Sequence, residues 1–241
     1  MNQEPDIPFK ILVNNNLTAW RASTFFTKEP ETLEWIRKYS LRDGEFTFLD
    51  IGANVGIYSL YYLSLNPKGE AVCCEPFSEN IKLLNDNIRL NNFSNRAKVV
   101  VSPLSSIEES GYVNIEDERP GGSGYRFNNQ VSNSSSLSKI ESSTIDRLLV
   151  GANKKVIVKI DTDGSDFEIL RGGLESLENG KIVSVLIESD VEKQKSIEKF
   201  LSQFQLLPDQ SINALANHSD IRRIESGKIE RNRVYSHVAY A

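Results

Sequence analysis

The chain has 241 residues, 39% of them hydrophobic, with 33 Asp and Glu against 28 Lys and Arg and a formal net charge of −5. That length can bury one large α/β core as a single domain, and an acidic balance without a long basic run argues against nucleic-acid binding. The start, MNQEPDIPFK, lacks a basic, apolar leader, and no apolar run approaches the roughly 20 residues of a membrane helix. A cytoplasmic protein with no membrane span is therefore expected. The adjacent Cys73 and Cys74 give neither a disulfide framework nor zinc spacing, and read as small residues of a buried strand.

Up to about Phe26 no strong pattern is visible, and residues 1–45 are read as a helical cover ahead of the core. Pro30 followed by Leu33, Trp35 and Ile36 predicts a helix over 29–41. An apolar run predicts a strand over 46–51, followed by a helix over 55–65. AVCCEP (71–76) reads as the second strand. Ser78 caps a helix over 78–92 that stacks Ile81, Leu84 and Ile88, and 97–103 reads as the third strand. Residues 111–118 alternate like a strand. Residues 119–138 are rich in Gly, Ser and Asn and read as a loop insertion, either a binding lid or disorder. A short helix is expected over 142–149, a strand over 154–161, a helix over 165–178 and a strand over 182–189. A helix over 191–204, a strand-like stretch near 205–212 and a final strand over 233–240 complete the chain. Strands alternating with amphipathic helices imply a mostly parallel sheet covered on both faces, with the last strand antiparallel at one edge.

In such sheets ligands sit at the carboxyl ends of the strands. Asp50, Glu75, Asp161 and Glu188 all fall there. Between the first strand and helix lies Gly52-Ala53-Asn54-Val55-Gly56. A nicotinamide or flavin dinucleotide needs G-x-G-x-x-G, and here Asn54 and Ile57 would crowd a pyrophosphate. Glu75, at the end of the next strand, can take both hydroxyls of a ribose. Ribose without pyrophosphate points to S-adenosylmethionine, whose cationic sulfonium and amine suit an acidic pocket.

FLDIGANVGIYSL, CCEPFSENIKLLNDNIRLNN, SSTIDRLL and VIVKIDTDGSDFEILRGG followed by VLIES, in this order and over roughly residues 30–190, resemble the FkbM family of S-adenosylmethionine-dependent methyltransferases. The resemblance implies a Rossmann-like class I methyltransferase fold: a seven-stranded, mostly parallel sheet with an antiparallel last strand. It also implies O-methylation of a sugar or natural-product hydroxyl, with a small molecule or glycan as acceptor. By that likeness Asp50, Gly52, Ala53, Asn54 and Gly56 form the cofactor turn, with Tyr58 and Ser59 beside it. Glu75 would bind the ribose, Pro76 and Phe77 would flank the adenosine, and Ser102 would lie near the adenine. The family pattern K-I-D-x-E-G-x-E reads KIDTDGSD here, so Asp163 and Asp166 are each one methylene shorter than the glutamates they replace.

Methyl transfer to an alkyl hydroxyl is largely a positioning task with a base needed at some stage. Asp161 is the first candidate for that base, followed by Asp163 and Glu188; His218 and His237 read as structural or solvated. The spacing of Asp161, Asp163 and Asp166 would also suit Mg²⁺, but the last two acids serve equally as helix caps, and the reading without a metal is preferred. The competing functional class is a non-catalytic binding module of the same fold that partners a glycan- or natural-product-assembly enzyme.

Overall fold

The computed structural model describes residues 9–42, 46–115, 117–128, 139–162, 164–216 and 231–240. Two helices come first, α1 (Asn16–Lys28) and α2 (Pro30–Ser40). The first was not visible in the sequence because only Thr18 and Phe25 of it are buried. Its start is set instead by Asn15, whose side chain caps the Thr18 N–H while the Thr18 hydroxyl accepts from the Asn15 N–H. Then come β1 (Phe46–Ile51), α3 (Ile57–Leu65), β2 (Glu70–Cys74), α4 (Ser78–Leu90) and β3 (Ala97–Val100), close to the expected bounds.

The middle of the chain departs from expectation. β4 (Ser110–Ile115) pairs antiparallel with β5 (Tyr125–Asn128) and β6 (Lys139–Glu141) in a separate three-stranded sheet. The first part of the expected loop over 119–138 is thus strand and anchored turn; residues 129–138 lie outside the described residues. After α5 (Ile145–Leu148) and β7 (Lys155–Ile160), the helix expected over 165–178 is two helices, α6 (Asp166–Arg171) and α7 (Leu174–Glu178). The break is at Gly172, where a Cβ would lie 2.3 Å from the Ser105 carbonyl oxygen. Asp146 then caps α7 by accepting the Glu175 and Ser176 N–H groups. β8 (Ile182–Ser189), α8 (Val191–Ser202), β9 (Leu206–Pro208), α9 (Gln210–Asn213) and β10 (Arg231–His237) follow. The strand-like stretch near 205–212 is three residues of strand and a helical turn started by Asp209.

The main sheet has seven strands in the order β3-β2-β1-β7-β8-β10-β9. β1, β2, β3, β7 and β8 are parallel. The expected antiparallel last strand is β10, which pairs with both β8 and the short edge strand β9. Alternating strand residues feed two cores, one per face. Phe46, Phe48, Cys73, Ile157 and Leu186 join Phe25, Trp35, Leu60 and Leu84 from α1–α4. Leu49, Ile51, Val158, Ile160 and Ile187 join Ile145, Leu170, Leu177 and Ile197 from α5–α8. Successive crossovers run to opposite sides of β1, so the order reverses between β1 and β7. The carboxyl ends of these two strands flank the crevice where such folds bind ligands.

Candidate active site

Beyond Ile51 the chain turns through Gly52 (φ 78°), Asn54 (φ 52°) and Gly56 (φ 85°), all left-handed. A Cβ on Gly52 would lie 1.9 Å from the Asp161 carbonyl oxygen, and one on Gly56 would lie 2.4 Å from Leu84 Cδ1. Both glycines are thus required by the protein's own packing of this turn against the end of β7 and against α4, before any ligand is considered. Gly52→Ala is expected to cost about 3 kcal/mol, from left-handed backbone strain plus overpacking, read as a lowered urea midpoint; a change below about 0.5 kcal/mol, the range of neutral surface substitutions, would refute the packing role.

A cavity of about 340 Å³ opens at the carboxyl ends of β1, β2, β7 and β8. Of the residues expected in the site, Gly52, Asn54, Glu75, Pro76, Ser102, Asp161 and Glu188 line it. Asp50, Ala53, Gly56, Tyr58, Ser59 and Phe77 lie behind its wall. Asp50 is the fifth residue of β1, buried, with its Oδ2 accepting from the Ser59 hydroxyl at 2.7 Å; burial pushes its carboxyl up. Tyr58 donates to Glu29 Oε2 at 2.7 Å, and Phe77 presents its backbone N–H to Glu75 Oε1 at 3.0 Å. Asp163 and His218 lie outside the described residues. His237, at the far end of β10, does not line the cavity and accepts the Ala239 N–H. Asp166 accepts the Thr162 and Gly164 N–H groups at 2.8 and 3.1 Å, and so shapes the loop after β7. Among the described residues there is no group of three or more His, Cys, Asp or Glu placed to hold a metal.

Glu75 is the best-held acid. It is 1% exposed. Oε2 accepts the Asn54 N–H at 2.8 Å and Oε1 the Phe77 N–H. Burial pushes its carboxyl up to about 7, although these backbone donors favour the ionised form. Pro76, Pro103 and Leu104 add apolar surface to the cavity lining and Ser102 a hydroxyl, a mixture that suits a heterocycle.

On the β7 side the cavity wall rests on a buried charge network. Lys159 is 1% exposed and its Nζ lies 2.8 Å from Asp161 Oδ2 and 5.0 Å from the Tyr58 ring centre. Burial opposes the charge of Asp161, but Lys159 and Lys28 outweigh it and hold that carboxyl well below the usual range. Burial likewise opposes the charge of Lys159, and Asp161, Asp50 and Glu29 override it, holding the ammonium above its ordinary value. Glu29, buried just before α2, pairs with Lys28 at 2.6 Å.

The sequence reading missed the contribution of α1 and of the second sheet. Trp20, Arg21, Lys28 and Glu29, from α1 and the residue after it, line the cavity, and so do Val113 and Phe127 of the second sheet and Ser123 between its strands. The intervening turn is fastened to the cofactor side: Asn15 Nδ2 donates to the Pro120 carbonyl (2.9 Å), Arg21 Nε to that of Gly121 (2.7 Å) and Asn54 Nδ2 to that of Gly122 (2.6 Å). The fully buried Asn80 accepts the Gly121 N–H at 2.7 Å. Asn80 is the one of these asparagines that is buried, and a buried amide needs partners elsewhere in the chain.

A carboxylate able to accept from two hydroxyls, apolar surface in the same lining and ionised acids form a donor set that fits an adenosine carrying a cationic tail. The comparisons agree. The methyltransferase FkbM domain matches residues 50–224. No curated protein sequence matches significantly. Among solved structures the chain is similar to the METTL16 methyltransferase domain (TM-score 0.51, 12% identity, covering 96% of this chain and 74% of that one). It also resembles a candidate RNA methyltransferase of Pyrococcus horikoshii (0.48, 16%, 95% and 93%) and M. capricolum TrmK in complex with S-adenosylhomocysteine (0.45, 13%, 86% and 67%). At these identities the METTL16 likeness speaks to the fold alone. With the domain match spanning most of the chain, the protein belongs to the FkbM family of S-adenosylmethionine-dependent methyltransferases.

Proposed function

We propose that the protein is an O-methyltransferase acting on a hydroxyl of a sugar, glycan or natural-product acceptor. The observation that carries this reading is the part of the cavity lining contributed by α1, the second sheet and the end of β7. There Trp20 and Phe127 offer aromatic surface while Ser123, Thr162 and the ionised Asp161 offer hydrogen-bond partners. Such a mixed surface suits a polyhydroxylated ring, whose faces are apolar and whose edges donate and accept. The chain's net charge of −5 speaks against a polyanionic acceptor.

In this reading Glu75 takes the ribose hydroxyls, Pro76, Ser102 and Leu104 bound the adenine, and Gly52 and Asn54 face the remainder of the cofactor. S-adenosylmethionine supplies, when bound, a methyl group activated by its sulfonium. The chain's own task is to hold the acceptor hydroxyl. A hydroxyl donating to Asp161 turns its lone pairs away from that acid and into the cavity. Because Lys159 and Lys28 keep Asp161 ionised against the cost of its burial, it orients the hydroxyl throughout and is a weak base, so the proton moves late. Asp161→Asn is expected to lower turnover by about 10²–10⁴-fold while S-adenosylhomocysteine binding changes little, measured as the rate of S-adenosylhomocysteine release beside a calorimetric titration. Unchanged turnover would remove Asp161 from this role.

The test of the function is methyl transfer from methyl-labelled S-adenosylmethionine to a panel of sugars, hydroxylated natural products, amines and RNA. A base-stable methyl ether on a hydroxyl acceptor is the expected product. Label on nitrogen or on RNA would overturn the acceptor class, and cofactor binding without transfer to any arm would favour the non-catalytic module.

A further inference from the structure

Among the described residues Arg21 is the cavity-lining cation with no ion-pair partner. Lys28 pairs with Glu29 at 2.6 Å, and Lys159, behind the wall, pairs with Asp161 at 2.8 Å. Arg21 uses one donor, Nε, on the Gly121 carbonyl at 2.7 Å. Among the described residues its two terminal nitrogens have no hydrogen-bond or ion-pair partner. Asn54 Nδ2 approaches the same Gly121 carbonyl at 3.5 Å, so the guanidinium sits beside the β1–α3 turn. It also acts electrostatically on Asp161, which lines the cavity, and on Asp117, which does not. Arg21 thus lines the cavity beside Asn54, held at the Gly121 carbonyl that both side chains approach.

In the proposed reading the tail of the cofactor runs past this part of the lining. The adenosine end is assigned to Glu75 and the wall after β2 and β3, so the amino-acid end crosses β1 toward β7. The tail carries a sulfonium, an ammonium and one carboxylate. Glu29, Asp161 and Glu188 match the two cations in charge. The carboxylate needs a cation, and the turn from Gly52 to Gly56 contains none.

Resting on the cofactor assignment above, we propose that Arg21 holds the carboxylate of S-adenosylmethionine through its two terminal nitrogens, with the Gly121 carbonyl fixing the guanidinium in place. A planar fork presented edge-on pairs with a carboxylate through two parallel hydrogen bonds. Asn15, Asn80 and Asn54 hold residues 120–122, so the carbonyl that positions Arg21 is itself fixed, and little ordering remains to be done on binding. Arg21 is thereby a cofactor-binding residue contributed by the cover helix α1, outside the matched domain.

The experiment compares two ligands on two proteins by calorimetry. S-adenosylhomocysteine has the amino-acid tail; 5′-methylthioadenosine has the same adenosine and a thioether but no tail. In Arg21→Gln, S-adenosylhomocysteine is expected to bind about 30-fold more weakly, while 5′-methylthioadenosine binds as it does to the wild type. Arg21→Lys, with charge but no fork, is expected to recover part of the loss. Equal weakening of both ligands would overturn the proposal, because it would mean that Arg21 acts by placing the Gly121 turn. Unchanged S-adenosylhomocysteine affinity would overturn it as well and turn the guanidinium toward the acceptor. Failure of folded wild-type protein to bind either ligand would remove the cofactor site itself, a result the wild-type titration shows before any variant is made.

Discussion

Glu75→Gln is expected to weaken S-adenosylhomocysteine binding about 100-fold. Two hydroxyl bonds to a charged acceptor at roughly 1.5 kcal/mol each give that figure. The amide also offers one acceptor where the native carboxylate receives two backbone N–H groups, from Asn54 and Phe77, so the turn itself loosens. The pH dependence is the more discriminating readout. Burial raises the Glu75 carboxyl from 4.5 to about 7. The form that accepts ribose hydroxyls is the carboxylate, so wild-type affinity should fall as the pH drops through about 7, by up to roughly tenfold per unit for one linked proton. The Gln variant should show no such slope. The stability of the free protein runs the other way. Between 4.5 and about 7 the folded state holds a proton at Glu75 that the unfolded state has released, so this group's contribution to stability falls as the pH rises through that window. A flat affinity profile in the wild type would show that Glu75 is not the ribose acid.

Lys159→Met is expected to destabilise the fold by about 3–5 kcal/mol, the usual consequence of leaving buried charges without their partner. For a domain of this size that is a fall of roughly 10 °C in melting temperature. Lys159 stands next to Asp50 across the β1–β7 ladder, contacts Asp161 and acts on Glu29, so its removal leaves three acids facing one another. In the wild type, Asp161 is held below its ordinary value by Lys159 and Lys28 against the effect of burial. Its contribution to stability is therefore present above the unfolded value of 3.8 and lost as the pH falls further. In the variant the same acids are pushed up, and protonating them relieves the repulsion. The gap between variant and wild type should close as the pH is lowered from 7 toward 4.5. A gap that stays constant with pH would mean that Lys159 matters for its packed hydrocarbon rather than its charge.

The centre of the sheet was legible because β1, β7 and β8 are buried on both faces and read as continuous apolar runs: FTFLDI, KVIVKI and IVSVLIES stand in the structure within a residue or so of where their composition places them. The part of the cavity lining at the ends of β1 to β3 was legible for a related reason. Strand ends and the glycine turn are local features, so Gly52, Asn54, Glu75 and Ser102 could be placed by position along the chain. The part from α1 and the second sheet was not. Trp20 and Arg21 lie on a helix with two buried residues, which gives no periodicity to read. Phe127 sits in a Gly- and Asn-rich stretch whose pairing with β4 is set by contact with the rest of the molecule. The glycine pair at 172–173 was masked by helical spacing on both sides, since the near contact with Ser105 is made by a distant segment. The acids at the strand ends also divided in a way that sequence does not specify: Asp50, one residue short of its strand's end, went under the wall, and Glu75, one residue past its own, went into it.

The turn at residues 120–122 is fixed by side chains from three different places: Asn15 and Arg21 at α1, Asn54 in the glycine turn, and Asn80 in α4. Every one of these contacts falls on three consecutive residues. Beyond them the chain enters β5, which bears Phe127 on the cavity wall. The protein is thereby built as a socket with an interchangeable rim. The named hydrogen bonds all fall on residues 120–122, so a substitution at Ser123 or Phe127 leaves each of their partners in place. In the proposed reading, acceptor preference is expected to change with substitutions at Ser123 and Phe127 while S-adenosylhomocysteine affinity stays as it is, provided that Asn15, Arg21, Asn54 and Asn80 are kept.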